Sequence, residues 1–296
     1  AVIAMRSPSL ALALAAATFA LSGCAPSLQE APVGAAVTPP LAWRTSLADA
    51  APVEQDWWNG FGDPQLSRLV EQARRHNADV QLAAARVEEA RATEAGSRGF
   101  LLPSLGAGVE GGLRREVSPL GRAQDSLAVQ PAFRASYELD LFGRNAARID
   151  GAASGVAASA AAEEAARLSV SAATASGYIT LLALDRRLAV LEATLLARGE
   201  ALDFARDRAE VGYTSQLELR QAEAEYQATA QQVPQVKAQI ARQEHALSVL
   251  TGAMPGAIAR GGRLADLRRP APPATLPAEL LRRRPDVAAA EYRIAA

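Results

Sequence analysis

The residue with the clearest chemistry of its own is a lone thiol. Cys24 is the only cysteine among 296 residues and stands directly behind Leu21-Ser22-Gly23, where an apolar run over residues 10–21 ends. Arg6, the apolar run and the small residues occur in the order of a secretory leader, with Met5 as its natural start. A cysteine at the cut makes this the bacterial lipoprotein box. Its thiol takes a diacylglyceryl group, cleavage exposes the Cys24 amine, and that amine is then acylated. Several chains on one residue give stable anchoring where a single chain is marginal. The run itself is too short to span a bilayer as a helix.

The other candidates for chemistry are weaker. His76 and His245 are the only histidines and lie far apart in sequence, which argues against a zinc or histidine-based catalytic site. Glu138 and Asp140 sit two apart and present a carboxylate pair, but Gln130 and Arg134 share their face, as expected of a polar surface. Arg282, Arg283 and Arg284 read as a solvated helix start. Trp57 and Trp58 suit either an interfacial anchor or packing onto the helices. With no nucleophile-base pair, metal cluster or phosphate loop, the chain reads as a non-enzyme with no metal and no cofactor beyond the lipid on Cys24. Its 31 cations and 32 acids leave a net charge of −1, with no basic excess for nucleic acid.

The elements that carry these residues follow from composition and period. Alanine fills about a quarter of the positions and aromatics only 5%. Small side chains in that proportion favour helices packed closely together. After the leader at 1–23, residues 24–62 form a lipid-anchored tether rich in Ala and Pro, and 63–99 the first helices. Asp63 caps these, and a break and recap falls at His76-Asn77-Ala78-Asp79.

Over 104–141 the period changes to two. Leu105, Ala107, Val109 and Leu113 alternate with residues that include Glu110 and Arg114. Val129, Phe133, Tyr137, Leu139 and Leu141 alternate with Gln130, Arg134, Glu138 and Asp140. Two strands with one apolar and one polar face fit a transmembrane β-barrel whose inner face, carrying Glu110, Arg114, Gln130, Arg134, Glu138 and Asp140, meets water. A two-stranded soluble ribbon fits the same alternation. Two strands cannot close a barrel, so a membrane role requires strands from elsewhere.

From 144 to 251 the pattern is that of a long helical hairpin. Leu181, Leu184, Leu188, Leu191 and Leu195 form one heptad seam; Leu219, Ala222, Tyr226, Thr229, Val233, Val236, Ile240, Gln243, Leu247 and Leu250 form the other. Folding the chain at 212–215 sets Leu195 near Val233, Leu191 near Val236, Leu188 near Ile240 and Leu181 near Leu247. Pro234 predicts a kink or bulge. Residues 252–277, rich in Gly and Pro, read as irregular connection. At 278–296 the pattern Asp79-Val80-x-x-Ala83-x-x-Arg86-Val87 recurs as Asp286-Val287-x-x-Ala290-x-x-Arg293-Ile294, the truncated start of a second repeat.

Taken together, Trp57-Trp58-Asn59-Gly60-Phe61-Gly62-Asp63-Pro64-x-Leu66, Tyr137-Glu138-Leu139-Asp140-Leu141-Phe142-Gly143-Arg144 and Leu280-Leu281-Arg282-Arg283-Arg284-Pro285-Asp286-Val287 resemble the TolC-like outer membrane factor family, in its NodT/OprM-type lipoprotein branch. The resemblance implies a mainly α fold with a small membrane β part: a long antiparallel coiled-coil hairpin plus two transmembrane β-strands per repeat. Three complete protomers would then close an α-barrel and a β-barrel. It further implies a passive homotrimeric duct of a tripartite efflux pump in a Gram-negative outer membrane. The duct would work with a periplasmic adaptor and an inner-membrane transporter of the resistance-nodulation-division type. Glu210-Val211-Gly212-Tyr213-Thr214-Ser215-x-Leu217 matches the family's hairpin tip, so Gly212, Tyr213, Thr214, Ser215 and Leu217 are expected to dock the adaptor. Ala25 after the cysteine favours outer-membrane sorting. A type I protein-secretion duct uses the same fold, and a coiled-coil envelope scaffold is the alternative of another class.

Overall fold

The computed structural model describes residues 55–270 and 283–296. The leader, Cys24, most of the expected tether, and Arg282 therefore lie outside the described residues. A short 3-10 turn, Trp57–Phe61, leads into helix α1, Pro64–His76, and helix α2, Ala78–Gly99. An antiparallel ribbon of strands β1, Ser104–Val117, and β2, Ala123–Ser136, comes next. The long helices α3, Arg144–Glu210, and α4, Gln216–Leu250, follow it. Beyond an irregular segment holding the 3-10 turn Leu264–Asp266, helix α5 spans Pro285–Ala295.

Local chemistry accounts for the helix boundaries. The Asp63 carboxylate accepts the Gln65 and Leu66 amides at 2.7 and 3.2 Å, and Pro64 at the first helical position loses no hydrogen bond. Leu66, Leu69, Val70 and Ala73 then bury one face of α1. Asn77 ends α1 and caps α2 through the Asp79 and Val80 amides. Its Nδ2 donates to the Leu250 carbonyl at 3.0 Å, which ties this break to the end of α4.

Helix α3 has 67 residues and so extends about 100 Å. It folds back on α4, and the seam positions of both helices are the less exposed ones: Leu181, Thr229, Val236 and Leu247 are buried, and Leu184, Leu188, Leu191, Leu195, Tyr226 and Ile240 half-buried. Glu192 pairs with Lys237 at 3.1 Å, within about a residue of the register expected from the seams. Elsewhere the contacts are displaced by roughly a turn, and at Gln243, whose Nε2 donates to the Gly177 carbonyl at 3.0 Å, by about two turns. The Tyr226 ring lies against Gly199 and Leu247 against Gly177. Each glycine leaves a hole beside the seam that a bulky partner fills. Helix α4 runs continuously through Pro234, where the sequence predicts a kink or bulge. The ring is exposed and the amide it removes is a single helical donor.

The core lies where α1 crosses the hairpin. Trp58, Leu66, Leu69, Val70, Ala175, Tyr178, Leu181, Leu182 and Leu247 form one buried cluster, and Ile258, Leu264 and Leu267 of the irregular segment pack on it. The Trp pair therefore serves packing: Trp58 is 2% exposed, with the Arg74 guanidinium 5.1 Å above its ring. No helix among the described residues is long and apolar enough to cross a membrane.

The ribbon is unlike the rest, because every residue of both strands is exposed. Its register sets Leu105 opposite Ala135, Ala107 opposite Phe133, Val109 opposite Pro131 and Leu113 opposite Leu127 on one face. A two-stranded ribbon without a covered face is at best marginally stable by itself.

Candidate functional site

Three features of this framework are open to function: the two-faced ribbon, the hairpin tip, and a polar knot at the core. On the ribbon, Glu110 stands opposite Gln130, Arg114 opposite Ser126, and Arg134 opposite Gly106, so these expected water-facing residues share a face. Arg114 also lies 3.6 Å from Glu116 on that face. Two residues of the expected set fall elsewhere. Strand β2 ends at Ser136, not at 141, so Glu138 and Asp140 are not strand positions. Glu138 pairs with Arg144 at 2.6 Å, and Asp140 accepts the Ala146 amide at 2.9 Å, which satisfies a free donor in the first turn of α3.

At the tip the chain reverses through Gly212, whose φ of 76° is the left-handed conformation that glycine adopts without steric cost. The Tyr213 amide closes the end of α3 on the Arg208 carbonyl at 2.8 Å. The Ser215 hydroxyl caps α4 by accepting the Glu218 amide at 3.2 Å, and the Thr214 hydroxyl donates to the Glu218 carboxylate. These bonds fix the backbone and turn side chains outward. Val211, Tyr213 and Leu217 are all exposed, an apolar cap on an otherwise charged hairpin end.

The polar knot fastens the irregular segment to the helices. The Tyr178 hydroxyl donates to Asp63 Oδ2 at 3.1 Å and accepts the Gly261 amide at 2.8 Å. A Cβ on Gly261 would collide with the Asp63 carboxylate, so only glycine fits this approach. Beside it, Arg260 grips Asp185 with two donors at 2.8 and 3.1 Å, and its third nitrogen reaches the Glu244 carboxylate and the Ile258 carbonyl. The hydrogen bond to Asp185 holds the Arg260 guanidinium pKa above its usual value, against the opposing effect of burial, with Glu244 adding to the rise. A hollow of about 580 Å³ adjoins this clamp, between α3 and residues 260–265. Sequence reasoning identified Asp63 as a cap but missed the rest of the knot, since its partners lie 75, 83 and 115 residues apart.

Burial is the main cause that raises the Tyr178 pKa, with the Asp63 charge also raising it and the Gly261 hydrogen bond opposing. The folded chain thus keeps the phenol proton at a pH where the unfolded chain releases it. Stability from Tyr178 is therefore complete below about pH 10 and drains as pH rises through the folded value. Ultraviolet titration should show one of the five tyrosines ionising after the others, and Tyr178→Phe should remove that late component. The same variant should cost about 1–2 kcal/mol in thermal melts, because it leaves the Gly261 amide unpaired.

Nothing in these three features brings together the parts of a catalytic site. The outer membrane efflux protein family matches residues 69–253, which include both strands, the hairpin and its tip. The chain is 31% identical over 274 residues to the pyoverdine export outer membrane protein OpmQ of Pseudomonas putida, covering 88% of this chain and 58% of that one. It is 30% identical to the toluene efflux pump outer membrane protein TtgC of Pseudomonas putida, covering 96% and 61%. The chain thus spans about six-tenths of the length of these relatives. Among solved structures, the outer-membrane channel OprN superposes with a TM-score of 0.76 at 28% identity, over 85% of this chain and 57% of that one. The MtrE outer membrane channel of Neisseria gonorrhoeae gives 0.70 at 26%, over 88% and 60%. With the match running from the core of α1 through the ribbon and tip to the end of α4, the chain belongs to the outer membrane efflux protein family.

Proposed function

We propose that the complete protein is the outer-membrane component of a tripartite efflux pump, a passive duct that expels small toxic compounds driven by an inner-membrane transporter. One observation carries this reading. A ribbon with one apolar and one polar face leads, through the short crossing 137–143, into a helix about 100 Å long, and neither part can complete its own surface. Three copies of a chain that repeats this unit would close both a barrel in the membrane and a tunnel below it. In this reading Glu110, Arg114, Gln130 and Arg134 face the water-filled lumen. Cys24 carries the lipid anchor, and the apolar tip of Tyr213 and Leu217, shaped by Gly212, Thr214 and Ser215, docks the adaptor. The duct has no catalytic residues, and the transporter, of the resistance-nodulation-division type, selects the cargo.

The test is complementation of an efflux-deficient strain with the full-length protein. Restored tolerance of small toxic compounds, without restored protein secretion, is expected. Unchanged sensitivity with the trimer assembled in the outer membrane overturns the efflux reading, and recovered protein export would assign the type I secretion role instead. Leu217→Asp should lower tolerance towards that of the strain without the protein, at unchanged abundance, with loss of adaptor crosslinking at Tyr213. Full tolerance and full crosslinking in that variant would remove the tip from the interface.

A further inference from the structure

The apolar face of the ribbon is too short for a membrane by itself. From Leu105 to Leu113 it advances eight residues, about 27 Å along the strand and about 21 Å in height at the tilt of a barrel, against an apolar band of about 25 Å. At the turn end the face is closed by charge, because Arg115 and Asp125 stand opposite each other on it and pair at 2.9 Å. The missing height must come from the other end, where the strands meet the helices.

There the chain exposes a run of large apolar side chains on both crossings. Phe100, Leu101 and Leu102 precede β1, and Leu139, Leu141 and Phe142 follow β2, with Phe142 84% exposed. Of the acidic groups nearby, Glu94 pairs with Arg98, Glu138 with Arg144, and Asp140 caps α3, while Asp150, two residues along α3 from Arg148, is exposed and pairs with no cation among the described residues. Arg148 differs from the other two arginines. It is exposed, has no carboxylate partner among the described residues, and stacks its guanidinium 4.2 Å from the centre of the Phe100 ring. An aromatic ring at the edge of an apolar surface with a free guanidinium on its face suits the boundary between acyl chains and headgroups.

We propose that Phe100, Leu101, Leu102, Leu139, Leu141 and Phe142 form a lipid-facing collar at the periplasmic end of the barrel, and that Arg148 binds the phosphate of an anionic phospholipid there. The collar completes the apolar height that the strands lack. Arg148 supplies the headgroup contact and so favours an anionic lipid over a zwitterionic one. This inference rests on the membrane-spanning reading of the ribbon.

The experiment uses the full-length protein in phosphatidylcholine vesicles that contain a minority of phosphatidylglycerol. Leu141→Trp reports the collar and Val109→Trp the middle of the apolar face, both exposed positions that tolerate the larger ring. Fluorescence in excess of the parent protein's is followed while bromine is placed on the acyl chains of one lipid or the other. Bromolipid should quench both reporters. At equal mole fraction, brominated phosphatidylglycerol should quench the collar reporter by up to about fivefold more than brominated phosphatidylcholine. Arg148→Gln should bring that ratio near one and Arg148→Lys should keep much of it. Quenching of the strand reporter without quenching of the collar reporter overturns the collar while the barrel reading stands. No quenching of either overturns both, and a lipid ratio unmoved by Arg148→Gln overturns the headgroup site.

Discussion

Arg260→Ala should destabilise the protein by about 2–4 kcal/mol, the cost of removing one partner from a largely buried, multiply bonded charge group. The magnitude follows from what is left behind. Asp185 loses both of its Arg260 hydrogen bonds, and Glu244, whose side chain is only 15% exposed, keeps just the Ile258 amide at 3.2 Å. Both carboxylates then remain near the core with no cation against them. Arg260→Lys should recover less than half of the loss. A lysine ammonium lacks the planar fork that holds Asp185 bidentately while reaching Glu244 and the Ile258 carbonyl. The effect should also be local before it is global. The irregular segment is held to the hairpin by this clamp, by the Gly261–Tyr178 bond, and by Ile258, Leu264 and Leu267 on the core. Limited proteolysis of Arg260→Ala should therefore cut within 252–270 at temperatures where the helical circular dichroism is still complete. A melt within about 0.5 kcal/mol of the parent, with no new cleavage, would show the clamp to be dispensable.

How much of this was legible beforehand depends on the range of each interaction. The hairpin seams were readable because a heptad repeat is a local pattern repeated along the chain, and their positions are the less exposed ones. The register was blurred by Gly177 and Gly199, where the absence of a side chain invites Leu247 and Tyr226 into neighbouring holes. The two faces of the ribbon were equally readable from the period of two. Its end was not. Tyr137, Leu139 and Leu141 continue the apolar alternation, but β1 begins at Ser104, paired with Ser136, and offers nothing further to pair with. Beyond that point Glu138 and Asp140 find helix partners instead. The knot was illegible for a simpler reason: a single arginine in a segment rich in Gly and Pro carries no spacing that points to an aspartate 75 residues earlier.

Val109→Arg and Glu110→Arg, one residue apart in β1 and given the same side chain, should behave oppositely in the full-length protein. Val109 stands opposite Pro131 on the apolar face, midway between Leu105 and Leu113, whereas Glu110 stands opposite Gln130 on the polar face. Successive side chains of a strand point to opposite sides, so the two arginines meet different solvents if the ribbon spans a membrane. At the midplane a lipid-facing arginine costs about 2–4 kcal/mol, and in a threefold barrel the penalty is met once per protomer. A lumen-facing arginine costs little, its main effect being repulsion from Arg114 farther along the same face. Val109→Arg should therefore leave most of the protein outside the membrane as protease-sensitive chains, while Glu110→Arg assembles normally and shifts only the ion preference of the pore. If both variants insert alike, the apolar face does not meet lipid. A soluble ribbon, the other structure that the alternation allows, would then be the correct account of these two strands.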